Sequence, residues 1–140
     1  MTKIRLNKDL VEAAVLGGAV LGGGGGGSMA EGRRNGLLAV EWGEPELVDL
    51  DDLPGEAILV TASAVGSPAA KSAYALPAHY VRTAELLRDL GGVRIQGMIT
   101  SECGGVAATN GLVQAAALGL PIVDAPCNGR AHPIGIMGSM

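Results

Sequence analysis

The chain has no phenylalanine, one tryptophan and two tyrosines in 140 residues. A core without aromatic rings must pack small aliphatic side chains closely, as layered α/β folds do. The apolar share of 48% is enough for one ordinary domain. The same scarcity removes the stacking platforms on which single-stranded nucleic acid binds. No basic stripe is present and the net charge is −4, so phosphates cannot be neutralised in series and nucleic acid is not an expected partner. The apolar stretches are glycine-rich or too short to span a bilayer, so no membrane association is expected. The charged start MTKIRLNKDL is followed by no A-x-A cleavage site, which leaves a cytoplasmic location as the default. Cys103 and Cys127 are too few for a disulfide framework, and cytoplasmic thiols stay reduced.

Glycine is abundant instead. Residues 16–28 read LGGAVLGGGGGGS, with six consecutive glycines from Gly22 to Gly27. Glycine loses more conformational entropy on folding than any other residue. Such a run serves positive φ angles or a close approach of bare backbone. Ser28 and Glu31 have the S-x-x-E spacing of a capping box. A glycine loop entering a helix N-terminus can hold an anion on its N–H groups. Gly23, Gly24, Gly25, Gly26, Gly27 and Ser28 are therefore ligand-binding candidates. A flexible linker is the other reading of the run. A nucleotide loop is poorly supported: a helix precedes the run, and no G-K-[ST] ending follows.

The remaining pattern alternates helices with short apolar runs. Asn7 caps a predicted helix over 8–16, with Leu10, Ala13, Ala14 and Gly17 inward. A second helix is expected over 29–42, with Met29, Leu37 and Val40 on one side and Arg33 and Arg34 outside. Leu47-Val48 and Ala57 to Val65 read as strands, and the turn residues at 51–55 separate them. Pro77 suits the first position of a helix that Gly91-Gly92 ends. Gly97 to Ser101 is a strand, Gly104-Gly105 opens a helix to Leu118, and Pro121 to Asp124 is the next strand. These elements predict a three-layer αβα sandwich with a mostly parallel sheet, in a single domain over 1–140. The apolar end, 134–140, suggests burial against another chain or a continuation.

In an open α/β sheet, ligands bind beyond the carboxyl ends of the strands. Three predicted strands end there in polar or reactive residues: Ser63, then Ser101-Glu102-Cys103-Gly104-Gly105, then Asp124 to His132. Cys103, placed before a predicted helix, reads as a nucleophile or soft metal ligand with a lowered pKa, or as a small buried hydrophobe. Glu102 reads as a general base, a ligand or a solvated carboxylate. Asp124 is a base or ligand at a strand end. His132 is a proton shuttle, a ligand or a polar loop residue. Gly104, Gly105, Asn128 and Arg130 are ligand-binding candidates, with Arg130 suited to a carboxylate or phosphate. A divalent metal such as zinc would draw on Cys103, Asp124, Cys127 and His132, although their spacing matches no standard zinc pattern.

Four segments, in order, carry a family resemblance: VLGGGGGG at 20–27, VTASAVGSP at 60–68, ITSECGGVAATNG at 99–111 and LGLPIVDAPCNGRAHP at 118–133. With them the chain resembles the N-terminal domain of the hydantoinase-associated, S-methyl thiohydantoin desulfurase-like family. The resemblance implies an α/β domain that a second, β-rich domain follows in most members. It also implies hydrolytic removal of a thiol from an S-methylated thiohydantoin. Many relatives look like D-A-D-G where this chain has Asp124-Ala125-Pro126-Cys127, so one carboxylate of that pair is missing here. Two functions are then expected. One is a hydrolase or desulfurase acting on small cyclic amides or thioamides, with Glu102, Cys103, Asp124 and His132 as its reactive set. The other is a non-catalytic subunit that binds a small anion. Its partners would be a second copy, in a homo-oligomer, or a separate C-terminal-domain subunit.

Overall fold

The computed structural model describes residues 3–67, 69–70, 72–125 and 127–131. In chain order the elements are β1 (Ile4–Arg5), α1 (Lys8–Gly22), α2 (Met29–Trp42), β2 (Glu46–Val48), β3 (Leu59–Ala62), α3 (Pro77–Gly91), β4 (Gly97–Thr100), α4 (Leu112–Leu118) and β5 (Ile122–Val123). Single 3₁₀ turns lie at Leu50–Asp52 and Ala107–Thr109. The sheet order is β1-β2-β5-β4-β3. Among the described residues, only the β1–β2 pair is antiparallel. The fold is α/β with a mostly parallel sheet, an αβα sandwich. Among the described residues, no helix is long and apolar enough to cross a membrane.

The core forms where small residues let elements approach. Val11 of α1, Ala39 of α2, Met98 of β4, Ile122 of β5 and Leu112, Val113 and Ala115 of α4 make one buried cluster. The buried stripe of α2 is Gly32, Asn35, Gly36 and Ala39, with Leu37 and Val40 only half-buried beside it. Small residues on that stripe bring its backbone against α1 and the segment after β4. A Cβ at Gly36 would lie 2.5 Å from Val11 Cγ1, and one at Gly32 would lie 1.9 Å from the Gly105 carbonyl oxygen.

Three expectations change. First, α1 runs on to Gly22 and buries Val11, Val15, Gly18 and Gly22, while Leu10, Ala13, Ala14 and Gly17 face outward. Apolar residues repeat with helical spacing on both faces of α1, so periodicity does not choose the buried one. Second, the expected strand over 57–65 is ordered as a strand only at Leu59–Ala62. Third, no helix starts at Gly104. Residues 104–111 form the 3₁₀ turn and a bend at Gly111, whose φ is +90°, and α4 begins only at Leu112. His132, the apolar end at 134–140, Pro68 and Pro126 lie outside the described residues.

Candidate functional site

Parallel pairing aligns the carboxyl ends of the strands. Ala62 pairs with Thr100, and Met98 pairs with Ile122, so β3, β4 and β5 all release their chain at one edge. The chain after β5 then turns back along the chain after β4. Cys127 N donates to Thr100 O at 2.9 Å and Asn128 N to Ser101 O at 2.7 Å. Cys103 N donates to Gly129 O at 2.7 Å, and Ala131 N to Cys103 O at 3.0 Å. A parallel bridge between Cys103 and Arg130 results. Residues 26 to 28 positions apart in sequence are thereby held side by side.

Three of the four predicted reactive residues meet here. The half-buried Cys103 thiol feels the charges of both Asp124 and Glu102. Burial pushes the thiol's pKa up, and the two carboxylates push it further in the same direction. This reverses the expected lowering. That expectation rested on a helix N-terminus immediately after Cys103, and the helix begins further on. Cys103 is a protonated thiol at neutral pH.

The Glu102–Cys103 turn is held by a residue that sequence reasoning passed over. Thr100 Oγ1 lies within hydrogen-bond distance of Glu102 O, at 3.0 Å, and of Ala107 O. Its one proton can serve either carbonyl. The available signal was a threonine at the last position of a strand leading into the candidate site. Replacing Thr100 with valine keeps the shape and removes the donor. We expect a stability loss of about 1–2 kcal/mol in urea unfolding, because part-buried carbonyls lose their partner.

The glycine run lies against this turn. Gly26 O accepts from Val106 N at 2.8 Å and from Ala107 N at 3.0 Å. A Cβ on Gly104 would fall 2.4 Å from Gly26 Cα, and one on Gly105 would fall 2.6 Å from Gly27 O. Close backbone packing thus accounts for glycine at 26, 104 and 105. Positive φ accounts for Gly23 at +54° and Gly24 at +100°, where a Cβ would meet nothing. Gly25 N donates to Gly22 O at 2.8 Å. Ser28 caps α2 as predicted, its Oγ accepting from Glu31 N at 3.2 Å. The loop therefore borders Cys103: a Cβ on Gly22 would lie 3.3 Å from the Cys103 carbonyl oxygen.

Arg130 is exposed, and its Nε donates to Leu21 O at 3.1 Å, near the end of α1. A basic group is favourable at that carbonyl end of the helix. Asn128 is half-buried beside Ser101. Cys127 is exposed. Among the described residues, no three His, Cys, Asp or Glu side chains come together to hold a metal ion. Of the metal candidates, His132 lies outside the described residues. Two clefts indent the described surface elsewhere. One lies between the start of β5 and the end of α4, lined by Glu46, Ala116 and Pro121. The other lies between α2 and the start of α3, lined by Arg34, Asn35 and Tyr74.

Comparison with known proteins places this geometry. No curated protein matches the chain. The chain is similar to a protein of known crystal structure from Chromobacterium violaceum, with 26% identity and a TM-score of 0.74. That match covers 95% of this chain and 37% of the other. The chain thus spans little more than a third of that solved relative. The profile of the family described as S-Me-THD-like, N-terminal domain, matches residues 9–140. The match includes the glycine run, the Glu102–Cys103 turn and Asp124 together, and the chain belongs to that family, to its N-terminal domain.

Proposed function

We propose that this domain carries the reactive groups of a hydrolase or desulfurase acting on small cyclic thioamides of the thiohydantoin type. The family gives a thiohydantoin-related role at family level. One arrangement supports the finer reading: a half-buried thiol in the field of two carboxylates, both of which favour its protonated form, at the carboxyl edge of a parallel sheet. An S-methyl thiohydantoin is electrophilic at the ring carbon that bears sulfur. Water adds to that carbon, and Asp124 or Glu102 takes the water proton. The carbon–sulfur bond then breaks, and the leaving methanethiolate is protonated. Cys103, protonated at neutral pH, is placed to give that proton and to recover one from the carboxylate. Arg130 and the backbone of the glycine run would hold the ring's anionic oxygen. The balance is one water consumed, with one methanethiol and one hydantoin ring formed.

The test is incubation of the protein with an S-methyl thiohydantoin, with methanethiol read by thiol titration and the ring product by mass spectrometry. Expected is release of one methanethiol per ring, dependent on both Cys103 and Asp124. Full turnover in both Cys103→Ala and Asp124→Ala variants would overturn the assignment. The match to little more than a third of the solved relative favours a second reading, in which the domain binds the ring and another domain reacts with it. Ring binding without methanethiol release would select that reading.

A further inference from the structure

Among the described residues, the outer face of α1 is apolar and uncovered. At 100° per residue, Leu10, Ala13, Leu16, Gly17, Val20 and Leu21 fall within roughly 140° of arc on the side away from Val11 and Val15. Leu10 is 38% exposed, Leu16 53%, Val20 78% and Leu21 46%. A Cβ at Gly17 would meet nothing within 4 Å. The one charge on this arc is Asp9, in the first turn. A surface helix normally turns polar residues outward, and apolar helix faces are normally buried. Here only one of the two is.

We propose that this face docks the domain that follows this one in the longer relatives, and that α1 is the interdomain contact. Two observations choose that occupant. The matched region is an N-terminal domain and accounts for 37% of the solved relative, so most of that relative lies outside it. The last described residues also lie beside this helix. Arg130 Nε is bonded to Leu21 O, and the Ala131 methyl would be 3.6 Å from a Cβ on Gly22. Arg130 and Ala131 thus lie at the C-terminal end of α1, next to Leu21 and Gly22. A tethered domain meets the face at high effective concentration, which a second copy does not. With small residues at Ala13 and Gly17 between them, the exposed Leu10, Leu16, Val20 and Leu21 suit contact with large aliphatic side chains from the incoming surface.

The inference is independent of the chemistry proposed above. Its test uses the intact Chromobacterium violaceum relative and this chain. In the relative, the side chains matched to Leu10, Leu16, Val20 and Leu21 are expected to be covered by residues C-terminal to the matched domain. A glutamate at the position matched to Val20 is expected to raise protease cleavage between the domains at least tenfold. In this chain, Val20→Glu is expected to leave the thermal midpoint unchanged, since the side chain contributes little to the described core. The inference is overturned if those positions are open to solvent in the intact relative, or if they are covered by a second copy. It is equally overturned if Val20→Glu unfolds this chain, which would make the face part of its own core.

Discussion

Replacing Gly32 with alanine is expected to destabilise the protein by more than about 4 kcal/mol, while replacing Gly17 with alanine stabilises it by about 0.5–1 kcal/mol. Both glycines lie in the interior of a helix, so helix propensity favours alanine equally at the two sites. Their surroundings differ. The added methyl at Gly32 would sit 1.9 Å from the Gly105 carbonyl oxygen and 2.9 Å from its carbon. Those are backbone atoms, and they cannot rotate away. Gly105 is itself held from the other side, where a Cβ would lie 2.6 Å from Gly27 O and 2.9 Å from Met29 N. Relief would require α2 to lift from the turn after β4, and the buried Thr109 hydroxyl, 3.2 Å from Gly32 O, would be pulled away with it. At Gly17 the methyl enters open space. A domain of this size is stabilised by about 5–15 kcal/mol in all. Gly32→Ala should thus lower the thermal midpoint by more than about 10 °C. Urea unfolding followed by circular dichroism checks both. A mild effect at Gly32 would mean that α2 does not pack on Gly105 as described.

Gly32 also shows what could be read in the sequence. The start of α2 was legible because Ser28 is a local signal, a cap, that needs no knowledge of the rest of the chain. The same holds for α3, with Pro77 at its start and Gly92 in the left-handed conformation at its end. His79 Nδ1 also accepts from Leu76 N there at 3.2 Å. The face of α1 was not legible. Leu10, Ala13 and Gly17 and Val11, Val15 and Gly18 repeat with the same helical spacing, and only contact with α2 and the 3₁₀ turn decides between them. The glycines at 104 and 105 were misread as a helix start because their cause is another glycine segment some 80 positions away. The candidate site was legible in part. Strand ends brought Glu102, Cys103 and Asp124 to one edge. The sign of the Cys103 shift depends on burial and on where α4 begins, and neither is local.

That sign leads to a separation of roles by one substitution. In a Cys127→Ser background, Asp124→Asn is expected to speed alkylation of Cys103 several-fold at pH 8 and to slow thiohydantoin turnover by about 10²–10⁴. With burial and both carboxylates raising its pKa, the thiol ionises above the ordinary cysteine value of about 8.5. Removing the Asp124 charge lowers that value, so more thiolate is present at a given pH and iodoacetamide reacts faster. Glu102→Gln should act in the same direction and less strongly, since Glu102 is the smaller of the two charge effects. The linkage has a matching sign. A thiol whose pKa is raised on folding contributes stability below its unfolded pKa, and that contribution is lost as pH rises through the raised value. If a resting Cys103 thiolate were the nucleophile, Asp124→Asn would raise turnover together with alkylation. If Asp124 accepts the proton of the attacking water, the two rates move in opposite directions. Stopped alkylation with mass detection, beside methanethiol release on the same preparations, reads both rates. Parallel movement would replace carboxylate-assisted water attack with a thiolate mechanism at the same site.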